Sequence, residues 1–344
     1  MMPRRKIWFT FIVFALLAFS FGCASGDDST SEGDGASSKP VKLTFAYELP
    51  TDHPWGIGAD KFKEIVEEKT NGEIEIEIHG NGSLAGSGAE IQEGIQIGTI
   101  DIGISSTPLA QINPFVQIFN LPYIFEDREM AWEVLDGPVG EEVGNKVEDH
   151  NIKYLSFWED GFRQVTNSKR PIVTPEDFNG LSIRVPESEI RIQTFKALGA
   201  SPLSMSFSEV FTSLQQGAID GQENPLSVVE SSSFYDVQEY LSITNHVYTP
   251  AGLLMNMDKW NSLTDEQQEI IVEAAEAGRD INRELNEEND EQLIDEMKEK
   301  GMEVNEIEDL TPFQEVSQDV WDLLIEELGE EAEEIVDEIM DSQS

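Results

Sequence analysis

The stretch "GLSIRVPES", residues 180–188, has the pattern of a short apolar strand interrupted by an arginine, Arg184, between Ile183 and Val185. A guanidinium cannot shed its charge, so a buried one needs an anion. Two placements are open. In an edge strand Arg184 would pair with a surface acid for about 0–1 kcal/mol. At the carboxyl end of a strand in an open α/β sheet it would face the crevice where such sheets bind ligands. The choice turns on what kind of sheet the strand belongs to.

Downstream of this strand a helix carries Ile192, Phe195 and Leu198 on one face, and a second helix from Ser208 to Gln216 closes at Gly217. "AIDGQENPLSVV" (218–229) then reads as a strand running into a loop. Upstream, "KYLSFWEDGFRQVTNS" (153–168) reads as a strand followed by a polar, aromatic-flanked turn. The first half repeats the design. Residues 41–47 form a strand, Gly58–Thr70 a helix, and "EIEIEIH" (73–79) an outer strand with one face in water. "GNGSLAGSG" (80–88) precedes a helix carrying Ile91, Ile95 and Ile97. It lacks the lysine of a phosphate loop and fits a dinucleotide fingerprint poorly, so it reads as a turn. "TIDIGISS" (99–106) is the next strand, and "FNLPYIF" (119–125) an apolar segment before a helix near Arg128–Leu135. Alternating strands and helices imply parallel sheets covered by helices. Both halves share G-x-I-D, at Gly98 and Gly217, each time where a helix closes and a strand begins; we read two α/β lobes of related design. Beyond Thr264-Asp265-Glu266-Gln267, a capping box, the chain has mostly helical period.

Composition narrows the function. The chain has 344 residues with 39% hydrophobic content, enough for a sizeable core. Its 68 acidic against 22 basic residues give a net charge of -46, which argues against nucleic acid or an anionic membrane surface as a partner for the body of the protein. Acidic runs such as Glu287–Glu291 read as solvated helix faces, and none has the spacing of a calcium loop. The four histidines show no paired metal spacing and no G-x-S-x-G elbow occurs, so a secreted enzyme lacks its catalytic groups. Neither cofactor nor metal is expected. The only cysteine, Cys23, follows Arg4-Arg5-Lys6 and the apolar run Ile7–Phe21, the layout of an export signal over residues 1–22 that ends at a lipid-modified cysteine. The run is too short for a membrane span, and the arginine pair leaves a twin-arginine export route open. Residues 23–40 read as a flexible tether.

Arg163, in "WEDGFRQVTN", lies in a segment that also leaves a strand, so Arg163 and Arg184 together could clamp a carboxylate. Asn224 in "GQENP" could add an amide, with Phe207 and Trp158 as walls. Each has a structural alternative, as turn or core residue. Taken in order, "GFRQVTNS", "GLSIRVPES", "ALGASPLSMSFSEVFTSLQQGAIDGQENP" and "YLSITNHVY" resemble the substrate-binding subunit of tripartite ATP-independent periplasmic (TRAP) transporters, the DctP-like family, over roughly residues 41–330.

The resemblance implies a two-lobed α/β fold of periplasmic-binding-protein type, with an organic anion in the cleft and a long helix spanning both lobes. Residues 41–162 plus 250–285 would form one lobe, and 163–249 plus 286–344 the other with the C-terminal helices. It implies that Arg184 in "IRVP" pairs with the ligand carboxylate and that Arg163, Asn224 and Phe207 line the site. Ser106 stands where sialic-acid binders of the family carry a glutamate, which speaks against that ligand, and Tyr47 marks the first-strand contact. The expected ligand is a C4-dicarboxylate, because two arginines suit two carboxylates. A sugar acid, another monocarboxylate or ectoine are the alternatives. The implied setting is a monomer held outside the cytoplasmic membrane by a lipid at Cys23, serving a TRAP membrane permease driven by an ion gradient. A solute sensor for a membrane kinase could use the same fold.

Overall fold

The computed structural model describes residues 39–343; the export signal, Cys23 and most of the tether lie outside the described residues. Strand β1 (Val41–Ala46) leads into helix α1 (Pro54–Lys69), which starts four residues before the expected Gly58. The reason is local. His53 Nδ1 accepts from Trp55 N at 3.1 Å and caps the helix, and Pro54 at its first position supplies a preset φ. Strand β2 (Ile74–His79) pairs only with β1 and is the sheet edge that its alternation implies. After α2 (Gly88–Ile97) comes β3 (Ile102–Ser105), and after α3 (Arg128–Asp136) and α4 (Pro138–Asn145) comes β4 (Ile152–Asn167).

Strand β4 departs from the sequence reading. "WEDGFRQ" is not a turn: β4 is one strand of 16 residues. Its charged residues are buried rather than solvated, which is what made the segment look like a turn. Irregular register between Tyr154 and Ser156 and between Glu159 and Gly161 bends the strand without ending it. The bend is fastened from both sides. Asn282 Oδ1 accepts from Glu159 N at 2.7 Å, while Trp55 Nε1 and Asn282 Nδ2 donate to the Glu159 carbonyl at 2.9 and 3.1 Å.

The second half supplies β5 (Ser182–Val185), α5 (Glu189–Ala197), β6 (Ser201–Ser204), α6 (Val210–Gln215) and β7 (Gly221–Pro225). The expected loop after β7 is instead a short helix, α7 (Leu226–Ser231), because Pro225 ends the ladder and fits the residue before a first helical turn. Then follow β8 (Tyr240–Ile243), β9 (Tyr248–Asn256), α8 (Met257–Asn261), α9 (Asp265–Glu299), β10 (Glu303–Glu306), α10 (Thr311–Leu328) and α11 (Glu330–Ser342). Strand order is β2-β1-β3-β9-β4-β7-β5-β6, with β8 and β10 attached beside β4.

Up to Phe162, β4 pairs with β9; from Arg163 onward it pairs with β7 and β8. One strand therefore passes from the first sheet to the second, and the cleft opens where it crosses. Each lobe carries the same device. Asp101 accepts from Thr44 N and Oγ1 on β1, at 2.8 and 3.1 Å, while Asp220 accepts from Ser182 N and Oγ on β5, at 2.9 and 2.8 Å. In both, the glycine three residues earlier is left-handed, Gly98 at φ 75° and Gly217 at φ 66°, as a helix-closing residue without a Cβ can be. The shared G-x-I-D is thus a helix stop followed by a carboxylate that ties the incoming strand to its parallel neighbour.

Helix α9, 35 residues long and opened by the Thr264–Gln267 capping box, packs against α1, β4 and α7. Phe313 at the start of α10 joins the second sheet's core, whereas Val320 and Leu324 join the first core. Helix α11 packs against α4 and α10. No described helix is long and apolar enough to cross a membrane.

Candidate functional site

Where β4 crosses, a cavity of about 30 Å³ lies between the end of β1, the N-cap of α2, the segment after β3, and β4, β5 and β7. Arg184, Arg163, Asn224, Phe207 and Ser106 line it together. Tyr47 and Trp158 do not. Tyr47 is buried in the core beside Phe45, and Trp158 is buried under α9 with its Nε1 donating to the Ala275 carbonyl at 3.0 Å. Tyr47 and Glu48 follow the end of β1, and of the two it is Glu48 that lines the cavity.

Strand β5 lies between β7 and β6, so Arg184 is not on an edge. It is 3% exposed, and its Nε and Nη2 donate to the Met205 carbonyl at 3.1 and 2.8 Å. The Phe207 ring sits 6.0 Å from the guanidinium carbon. Among the described residues no carboxylate reaches Arg184 at ion-pair distance. Burial accordingly pulls its pKa down to about 10, with distant Glu223 opposing; it remains a cation.

Arg163 is in the opposite situation. Its Nε donates to Glu223, its Nη1 to Asp160 at 2.7 Å, and its Nη2 to the Glu223 carbonyl and to Asn224 Oδ1 at 2.7 and 2.8 Å. The expected pair of free arginines is therefore one free arginine and one neutralised from within. Burial alone would raise the Glu223 carboxyl, yet the Arg163 and Arg191 charges and His246 hold it far below the carboxylate range. His246, neutral through burial, places Nε2 3.1 Å from Glu223 Oε2, and its Nδ1 lies 2.8 Å from Thr244 Oγ1. Arg191, which the sequence reading missed, is fully buried with Nη1 3.6 Å from Glu223. It stands between Ile190 and Ile192, but on a helix sequence neighbours point to different faces, so the strand signal that marks Arg184 does not mark it.

Three further carboxyls face the cavity, Glu48, Asp160 and Glu187. Burial lifts Asp160 to about 6 against the pull of Arg163, and lifts Glu48 to about 7 against that of Arg184. Glu48 also accepts from Gly88 N, at the first turn of α2, at 2.8 Å. Ser87, Ser106 and Thr107 bring hydroxyls to the lining, and Trp55 an aromatic wall. Thr107 Oγ1 is buried without a partner. Arg163 and Arg191 are balanced by Glu223 and Asp160. The cavity then presents one cation, carboxyl acceptors and a set of hydroxyls. No group of three or more His, Cys, Asp or Glu side chains among the described residues is placed to hold a metal.

Residues 45–328 match the family model described as bacterial extracellular solute-binding protein, family 7. The chain is 33% identical to the 2,3-diketo-L-gulonate-binding periplasmic protein YiaO of Escherichia coli, over 98% of this chain and 100% of that one. It is 32% identical to the C4-dicarboxylate-binding periplasmic protein DctP of Rhodobacter capsulatus, over 86% of this chain and 90% of that one. A TRAP periplasmic solute-binding protein from Polaromonas sp. JS666, bound to D-erythronate, superposes with a TM-score of 0.84 at 33% identity, covering 87% of this chain and 98% of the other.

Proposed function

The chain belongs to the bacterial extracellular solute-binding proteins of family 7, the organic-acid-binding subunits of TRAP transporters, and on that premise we propose that it captures a sugar acid in the cleft at Arg184. Proteins of this family bind substrates for transport and are not enzymes.

The choice of a hydroxylated monocarboxylate over a C4-dicarboxylate rests on the charge balance around the cavity. A first carboxylate meets Arg184, which is buried without an in-chain anion. A second would need another unengaged cation, and Arg163 is held by Glu223 and Asp160. It would instead meet Glu48 and Asp160, where like charges at short range disfavour ionisation. Sugar hydroxyls suit the same surroundings, because they donate to carboxylates and exchange hydrogen bonds with Ser87, Ser106 and Thr107. The relatives that bind 2,3-diketo-L-gulonate and D-erythronate support this class; the Rhodobacter protein supports the dicarboxylate.

Binding follows from the crossing strand. An anion on Arg184 that also touches Glu48, Ser87 or Ser106 draws the two sheets together, so its binding energy favours the closed form. The closed protein then delivers the acid to a membrane permease outside the cytoplasmic membrane, tethered there by a lipid on Cys23.

A thermal-shift screen tests the reading, since a ligand that binds only the folded state stabilises it as the logarithm of its concentration over Kd. Aldonates and uronates are expected to raise Tm, with succinate and malate leaving it unchanged. A shift confined to the dicarboxylates would overturn the assignment.

A further inference from the structure

Building on the sugar-acid reading, we propose that a pocket at the mouth of the cleft is a second subsite that takes a neutral sugar ring joined glycosidically to the acid. The full substrate would then be a disaccharide acid.

This pocket, of about 380 Å³, shares Glu48 and Phe207 with the inner cavity, so it adjoins the site that holds the carboxylate. Ligand pockets commonly span about 300–1,000 Å³. The inner cavity falls far short of that range and the adjoining one lies within it. One wall comes from the turn at Asn81 and Gly82, the other from Ser208, Phe211 and the serines 231–233. The sides nearly touch at Gly86, where an added Cβ would lie 3.8 Å from Ser208. The pocket thus lies between the β2–α2 turn on one side and the α6 and α7 region on the other.

Its chemistry is what singles it out. In a chain with 68 acidic residues, Glu48 is the only charged side chain among the residues lining this pocket. The lining is otherwise aromatic rings, hydroxyls, an amide, a proline and glycines. A neutral lining at the mouth of an anion-binding cleft does nothing to attract an anion, and it is suited to the uncharged end of a ligand whose charge is held deeper. Phe211 and Phe234 lie nearly parallel with centroids 6.5 Å apart, and Phe211 is only partly buried, offering a face to the apolar side of a pyranose. Ser232 Oγ is buried without a hydrogen-bond partner, while Ser231 and Ser233 engage the Ser227 carbonyl and the Tyr235 hydroxyl.

Isothermal titration of the full chain decides the matter. D-gluconate, D-galactonate and D-galacturonate are compared with lactobionate, cellobionate and maltobionate, which carry a neutral second ring. At least one disaccharide acid is expected to bind about tenfold more tightly than every monosaccharide acid. In Phe211→Ala and in Ser232→Ala that advantage should shrink, while affinity for the monosaccharide acid stays as in the unaltered protein and certifies the fold. If a monosaccharide acid binds and no disaccharide acid exceeds it, the pocket is merely the mouth of the cleft and the proposal fails. An advantage that survives both substitutions also overturns it. If no sugar acid binds at all, the sugar-acid reading falls first and carries this inference with it.

Discussion

Removing Arg163 would leave Glu223 and Asp160 buried without their principal cation, whereas removing Arg184 takes away a buried charge that has no anion of its own. The two substitutions should therefore separate. Arg163→Ala is expected to cost about 3–5 kcal/mol of unliganded stability, the usual consequence of breaking a buried pair from one side. Arg184→Ala should leave the denaturant midpoint close to that of the unaltered protein while abolishing stabilisation by any acid. Equal losses of stability in both would contradict the division of roles. Glu48 gives a second test, through pH. Its carboxyl is raised by burial from 4.5 to about 7, so between those values the folded state holds a proton that the unfolded state has lost. Stability conferred at this position must then fall as pH rises through that window and level off above it. Glu48→Gln removes the titration, so it should match the unaltered protein near pH 4 and exceed it at pH 8, by up to about 3 kcal/mol. No gain at pH 8 would place the Glu48 carboxyl in an unshielded setting. The sequence made Arg184 legible because one charge broke an apolar strand. It could not reveal that Arg163 is neutralised by Glu223, 60 residues away, since both read as ordinary polar neighbours until β4 and β7 pair.

Helix packing under the cleft depends on two glycines that the sequence presents without comment. Gly58 of α1 and Gly278 of α9 face each other across the edge of Trp158. A Cβ on Gly278 would lie 2.5 Å from Trp158 Cζ2 and 2.9 Å from the Gly58 carbonyl oxygen, so the helices would have to separate. Gly278→Ala is expected to destabilise by about 1–3 kcal/mol despite alanine's better helix propensity, and urea unfolding would read it. A neutral or stabilising result would mean the two helices are not in contact there. Alternation, caps and helix stops were legible at this scale: the edge position of β2, the capping box of α9, and the closures at Gly98 and Gly217 all follow from local chemistry. Strand β4 was not legible past Trp158. Its Glu159 and Asp160 look solvated in sequence, yet Glu159 is held by Arg128 and Trp132, and Asp160 by Arg163. Helix α7 was hidden for a similar reason, because Asn224-Pro225 has the composition of a turn and only the pairing of β7 with β4 shows it to be a strand end.

Across the whole molecule the cleft must attract an anion through the field of a chain with net charge -46. Field and site work against each other, and they respond differently to salt. The Arg184 contact is buried and weakly screened, whereas the surface field acts over distances that mobile ions shorten to about 10 Å at 0.1 M. Salt should therefore remove the repulsion before it weakens the contact. Association of the acid should accelerate as sodium chloride is raised from about 10 to 150 mM, the reverse of the slowing expected where a net attractive field steers a ligand, with dissociation changing less. The same screening relieves repulsion among the acidic faces of α9, α10 and α11, so Tm of the unliganded protein should rise over that range as well. Stopped-flow binding and thermal unfolding across the salt series measure the two effects separately. If association slows while Tm rises, the cleft has a local positive field that outweighs the body of the protein. The approach of the ligand would then be governed by Arg184 and its neighbours from outside as well as from within.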